Sequence, residues 1–270
     1  MTTAWRDLVG ELDLWASAGR TACFWWRDDD AVATTPALDR LLALHRRSGV
    51  PLALAIIPAR IEDSLIASLH RQPNIAALQH GYAHHNHATP AEKKSEFPAG
   101  RPLAHRLADM RAGQVLMHQH FGDRLLPVFV PPWNRLAPDC LPEMTALGYG
   151  AVSAFQARSG YWAAPGLAWL NTHIDPIDWH GADNHAAARR SLAAVCAHLS
   201  AMREKKQALE PLGLLTHHLR HDETIWAFTA EFLTTTLHHP AVRWLDARAA
   251  LHVGAAGATG PAPPAVMPAS

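Results

Sequence analysis

Apolar and polar positions are arranged in blocks along the chain. Short apolar runs recur, and stretches with helical spacing separate them. Trp5, Leu8, Val9, Leu12, Leu14 and Trp15 place an amphipathic helix over residues 3–18, stopped by Gly19. The run 21–26 reads as a buried strand, and Thr34-Thr35-Pro36 opens a helix that closes near Ser48-Gly49. Further strands are predicted at 52–58, 75–79, 125–130, 149–155, 167–174, 212–216 and 242–245. Helices are predicted at 63–70, 103–120, 138–147, 185–209 and 223–237. Strand–helix alternation on this scale predicts α/β architecture, a parallel sheet with helices outside. With this many units in one domain, a distorted (β/α) barrel of about seven strands leads over an open doubly wound sheet. Residues 1–253 form one domain, and the Gly/Ala/Pro tail 254–270 has too little to bury and is expected to be disordered.

Composition narrows the function without naming it. Lys+Arg and Asp+Glu balance at 24 each, which gives no electrostatic case for nucleic acid or an anionic membrane. Cys23, Cys140 and Cys196 are too far apart for a cysteine zinc site or a disulfide framework. No window is apolar enough to span a membrane, and residues 1–18 lack the form of a signal peptide, so a cytoplasmic location is expected. The 19 histidines are informative because several are bunched, at His80, His84, His85 and His87 and again at His217, His218 and His221.

The polar clusters share a position. Asp28–Asp30, His80–His84, Pro131–Asn134, Asp175–Asp178 and His217 each follow a predicted strand. In a parallel barrel those strand ends open on one face, where active sites form. Acidic residues are costly in a core unless paired or metal-bound, so the triple Asp belongs at a strand end, at the edge of the core. His80 and His84 share a face if 80–84 makes a helical turn. Each cluster has a plain alternative, such as helix capping for the aspartates and a rigid turn for Pro131-Pro132-Trp133. Five plain alternatives in this order are improbable together. One carboxylate and two imidazoles make a divalent metal site, and a second carboxylate and a separate His supply base and acid for hydrolysis of an amide or ester.

These motifs, in this order over roughly 20–250, resemble the polysaccharide deacetylase family, also called the NodB-homology or carbohydrate esterase 4 family. Asp29-Asp30 is similar to its Asp-Asp pair, His80-Gly81-Tyr82-Ala83-His84 to its His-x-x-x-His, and Pro131-Pro132-Trp133 to its Pro-aromatic turn. Asp175-Pro176-Ile177-Asp178-Trp179 resembles Asp-x-x-Asp-Trp, and Leu215-Thr216-His217 resembles Leu-x-His. The resemblance implies that Asp30, His80 and His84 hold one divalent ion, usually zinc, and that Asp29 is the general base. It implies that Trp133, with its neighbour Asn134, serves the oxyanion. His217 would protonate the leaving group, oriented by Asp178 or Asp175. Three aspartates also allow a second register, with Asp28 as base and Asp29 as ligand.

The chain departs from the family pattern at Gly81, where Ser or Thr is usual, and at Val130, where an Arg usually contacts the base. Arg27, which neighbours the acidic run, is expected to replace that Arg. The resemblance implies deacetylation of an amino sugar or polysaccharide precursor. The alternatives are hydrolysis of a non-sugar C–N bond on the same fold, or sugar binding through the tryptophans without catalysis. The segment 85–101, with Glu96, Phe97 and Arg101, is read either as a wall of the substrate site or as a mobile surface loop.

Overall fold

A computed structural model describes residues 3–181 and 183–255. Its strands are β1 (Ala22–Ala31), β2 (Ala53–Ile56), β3 (Ala76–His80), β4 (Leu125–Val130), β5 (Ala151–Val152), β6 (Trp162–Ala164), β7 (Leu167–Trp169), β8 (Leu212–Thr216) and β9 (Val242–Trp244). Its α-helices are α1 (Thr3–Ser17), α2 (Pro36–Ser48), α3 (Asp63–His70), α4 (Leu103–Phe121), α5 (Leu141–Met144), α6 (Asn184–Arg203), α7 (Glu223–Leu237) and α8 (Ala247–Ala250). Residues 256–270 of the tail lie outside the described residues. No helix among the described residues is long and apolar enough to cross a membrane.

The strands pair in the order β6-β7-β5-β4-β3-β2-β1-β8, with β9 beside the start of β1, and all pairs except β6–β7 are parallel. Beyond β7 the chain reaches across to β8. The N–H groups of His173 and Ile174 donate to the Gly213 carbonyl at 2.8 and 3.0 Å, and Leu215 N–H donates to Ile174 O at 2.8 Å. The sheet thus curls into the expected distorted barrel, closed by a single bridge between Ile174 and Leu214. Gly213 permits that closure, since a Cβ there would lie 2.7 Å from Thr172 Cα and 2.8 Å from the Asn171 carbonyl.

β1 shows how period-two alternation sorts the side chains. Phe24 and Trp26 face outward into a core shared with α1, α2, α6 and α7. Trp25 faces inward with Ala53, Ala55, Leu78, Val128 and Val130, and its Nε1 donates to Asn171 O at 3.1 Å across the barrel.

Several boundaries move. The helix expected over 138–147 shrinks to a 3₁₀ turn and α5, where Pro138 and Pro142 remove backbone donors. The helix expected over 185–209 stops at Arg203, with Lys205 in the left-handed region. The strands expected at 149–155 and 167–174 are regular only in β5 and β7, and the antiparallel β6 is an addition to the expected set. The strand expected to end at residue 26 continues to Ala31, so the carboxylates lie on the strand itself.

Candidate active site

That extension decides what each aspartate touches. Arg27 and Asp29 follow Trp25 inward, and both are buried. Asp29 Oδ1 lies 2.8 Å from Arg27 Nε, and its Oδ2 accepts from Arg27 Nη2 at 2.9 Å. The guanidinium also donates to Ser153 O, Ser153 Oγ and Asn134 Oδ1, at 3.0, 2.6 and 3.0 Å. A carboxylate is tolerated in the core here because a planar cation neutralises it. The expectation that all three carboxylates sit at the edge of the core is therefore corrected for Asp28 and Asp29.

Asp28 faces the outer layer. It accepts from Thr216 Oγ1 at 2.7 Å and His218 N at 3.0 Å, and His218 Nδ1 lies 2.5 Å from its Oδ1. Asp28 thus grips the residues on either side of His217, and His218 is an unanticipated member of this network. Burial alone would lower the His218 pKa, but the Asp28 carboxylate outweighs it and raises it.

Strict alternation would send Asp30 outward too. Its φ of 71° turns it instead to the barrel mouth, where Oδ1 lies 3.2 Å from His80 Nε2 and 3.3 Å from His84 Nε2. Burial acts to raise the Asp30 pKa, but the His80, His217 and His84 imidazoles hold it well below the usual carboxylate range. His80 ends β3, and its Nδ1 meets the Val130 carbonyl at 3.0 Å. That nitrogen donates to the carbonyl, and Nε2 is the ring atom turned to Asp30. Burial alone would lower the His80 pKa, but the Asp30 carboxylate outweighs it and raises it. His84 is brought in by a loop, and the expected helical turn over 80–84 is not formed. Gly81 and His84 both have positive φ, 58° and 57°. Burial, then the neighbouring His80, pushes the His84 pKa down to about 4, which keeps that ring neutral. A carboxylate oxygen and two imidazole nitrogens within 4.8 Å of one another fit a divalent cation.

His217 faces the inner side, with Nε2 3.8 Å from Asp29 Oδ2 and the Trp179 ring 4.7 Å away. Its Nδ1 is buried without a hydrogen-bond partner among the described residues. The structure does not bring Asp178 to it. The Asp178 carboxylate accepts the N–H groups of His180, Gly181 and Asp183, at 3.3, 3.0 and 3.4 Å, as a loop-capping group. Asp175, half-buried, accepts Trp179 Nε1 at 2.7 Å and the Ile177 N–H at 3.0 Å. Burial raises its pKa, while the charge of His217 acts in the opposite direction.

Trp133 and Asn134 are consecutive residues with φ of 56° and 55°. Asn134 is less free than expected. Its Oδ1 accepts from Arg27 and its backbone N–H donates to Pro131 O at 2.9 Å. The Trp133 ring stands 4.2 Å from that of His84. Asp30, His84, Trp133 and Asn134 are four of the five non-glycine residues with positive φ among the described residues, so backbone strain concentrates at this mouth. In the segment 85–101, Glu96 and Phe97 are fully buried, which excludes a mobile loop at those positions.

A second group has the same donor types. His173 Nε2 and His198 Nε2 each lie 3.1 Å from a Glu210 oxygen. Here, however, His173 Nδ1 accepts the Gly213 N–H at 3.1 Å, so its proton sits on Nε2, and Arg158 Nε lies 3.8 Å from the carboxylate. This is a carboxylate surrounded by donors.

No family model and no curated protein sequence matches the chain. Solved structures do match. A probable polysaccharide deacetylase from Pseudomonas aeruginosa aligns over 88% of this chain and 92% of its own, with a TM-score of 0.59 and 13% identity. A family 4 carbohydrate esterase from Streptomyces lividans, in complex with acetate, aligns over 82% and 90%, with a TM-score of 0.51 and 14% identity. A family 4 acetyl xylan esterase from Clostridium thermocellum, in complex with a cobalt ion, aligns over 90% and 95%, with a TM-score of 0.50 and 15% identity. At these identities the likeness establishes the fold alone, and the chain has the fold of these polysaccharide deacetylase and family 4 carbohydrate esterase structures.

Proposed function

We propose that this chain is a metal-dependent hydrolase that removes an acetyl group, or a similar acyl group, from a sugar. The observation that carries the reading is the adjacency of two differently wired aspartates. Asp30 faces two imidazole nitrogens, while Asp29 faces a guanidinium on one side and His217 on the other. Asp30, His80 and His84 would hold a divalent ion, with zinc as the first choice for this donor set. Such an ion supplies Lewis acidity to the acyl carbonyl and to the attacking water.

The remaining chemistry belongs to the chain. Asp29 takes the proton of the attacking water, and Arg27 fixes the orientation of its carboxylate. His217 delivers a proton to the departing nitrogen or oxygen, with Asp175 as the counter-charge. The backbone N–H of Trp133, set by the strained turn after β4, donates to the developing oxyanion, with Asn134 Nδ2 as a second donor. Trp179 borders His217 and is half exposed, which places an aromatic face where a sugar ring would stack.

The test is acetate release from a panel of N- and O-acetylated sugars, with and without a chelator. The expected result is release that stops on chelation and returns with zinc, and that is lost in Asp29→Asn while zinc content stays near one per chain. Turnover of small cyclic amides but of no acetylated sugar would move the activity to non-sugar C–N bonds. Zinc-loaded protein inactive on both panels would leave the sugar-binding alternative.

A further inference from the structure

Glu96 is a buried carboxylate that the proposed chemistry does not use. It lies between Ser95 and Phe97, far in sequence from either imidazole ligand, and it is fully inaccessible to solvent. Its oxygens accept three backbone N–H groups, from Ala83 at 2.7 Å, Tyr82 at 3.1 Å and His85 at 3.4 Å. Those groups surround His84. No basic side chain makes an ion pair with Glu96 among the described residues, so the loop amides are what compensate its charge.

Gly81 completes the arrangement. A Cβ there would overlap Glu96 Oε2 outright and would press on Pro132 Cγ and Cδ at 2.6 and 2.7 Å. The φ of 58° at Gly81 is also one that side-chain-bearing residues rarely adopt. Glu96 therefore occupies the space that a side chain at residue 81 would need. The departure at Gly81 and the buried Glu96 are two halves of one local solution.

We propose that Glu96 is a positioning residue for the metal centre, holding the 81–85 loop so that His84 Nε2 is aimed at Asp30 before any ion arrives. This inference rests on Asp30, His80 and His84 being the metal site. Without Glu96, three amides lose their acceptor, and the loop is left with its anchors at Gly81 and Tyr82 only, before His84. Binding must then order the loop, and the ordering cost appears as weaker affinity.

The experiment is zinc titration of the metal-free protein against a competing chromophoric chelator, with thermal melting of the same metal-free samples. Glu96→Ala is expected to weaken zinc binding by about 10- to 100-fold, the range typical of groups that orient metal ligands. Glu96→Gln, which keeps one acceptor oxygen, is expected to fall between Glu96→Ala and wild type. Gly81→Ala is expected to weaken binding as well, and Gly81→Ala with Glu96→Ala less than the product of the single effects, because the overlap is relieved.

Unchanged zinc affinity in folded Glu96→Ala or Glu96→Gln would overturn the proposal. So would a lowered melting temperature with no change in affinity, the mark of a purely structural residue. Should Glu96→Ala fail to fold, Glu96→Gln and Gly81→Ala decide alone. Asp30→Asn serves as the control. If it binds zinc as wild type does, the metal-site reading fails, and that failure is distinct from a failure of Glu96.

Discussion

Two clusters in this molecule contain two histidines and one carboxylate, and they do opposite things. At the barrel mouth, the His80 ring donates through Nδ1 to the Val130 carbonyl and turns Nε2 toward Asp30. In the Glu210 cluster, the His173 ring spends its lone pair on the Gly213 N–H and turns a proton toward the carboxylate. The first arrangement calls for a cation between the groups. In the second, a ring N–H already faces the carboxylate, and the Arg158 guanidinium close by supplies the positive charge. Residue type and distance therefore do not define a metal site, because the hydrogen bond on the far side of each ring decides which nitrogen is available.

The largest expected effect separates the clusters directly. Asp30→Asn abolishes zinc binding and acyl hydrolysis, whereas Glu210→Gln leaves the zinc content of the folded protein unchanged. Metal analysis of both variants checks this, and zinc lost from Glu210→Gln would break the comparison.

Next comes the buried charge at the centre of the barrel. Arg27→Met strands Asp29 without its cation and is expected to cost about 3–5 kcal/mol of unfolding free energy. Turnover falls with it while zinc content is retained. Urea denaturation and metal analysis read the two effects separately. Arg27→Met with Asp29→Asn should recover part of the stability and none of the activity.

The Glu210 cluster predicts a pH signature. Burial pushes the Glu210 pKa up, but the His173 and His198 N–H groups outweigh it and hold it at about 2. An unfolded glutamate titrates near about 4.3, so the folded state binds fewer protons between these values. The stabilisation is therefore fully present above about pH 4.3 and is lost as the pH falls toward 2. It is on the order of 3 kcal/mol for a shift of this size. Glu210→Gln should flatten the stability profile in that window and nowhere else, as measured by denaturant melts at stepped pH.

The smallest effect sharpens the picture of the mouth. Asp28→Asn loosens the grip on Thr216 and His218 and is expected to cost roughly 1–3 kcal/mol. Turnover should fall through misplacement of His217, with zinc content unchanged. Complete loss of activity with stability intact would instead favour the register in which Asp28 is the base.

Much of this is legible in the chain's own pattern. The strand–helix alternation implies the barrel, and Thr35, Pro36 and Gly49 mark the ends of α2 where the structure has them. The placement of polar clusters after apolar runs predicts one face for the chemistry. That Arg27 neighbours the acidic run is also readable, but its pairing with Asp29 depends on the strand continuing past residue 26, since residues two apart on a strand share a side. Less legible is anything that depends on contacts between distant segments. Asp178 looks equivalent to Asp175 by type and spacing, but its carboxylate caps a local loop and Asp175 is the one close enough to feel the charge of His217. Glu96 offers no motif, and its partners are amides that carry no sequence signature.

By itself the sequence determined the period of the chain, the architecture and the chemical types gathered at the mouth, because hydrophobic burial follows local pattern. Only the tertiary structure decided which aspartate does what. Alternation along β1 sends Asp28 outward and Asp29 inward, and the left-handed turn at Asp30 breaks that alternation and delivers its carboxylate to His80 and His84. Such a backbone angle costs energy and is held by the surrounding contacts, so it belongs to the folded protein and not to any stretch of its sequence.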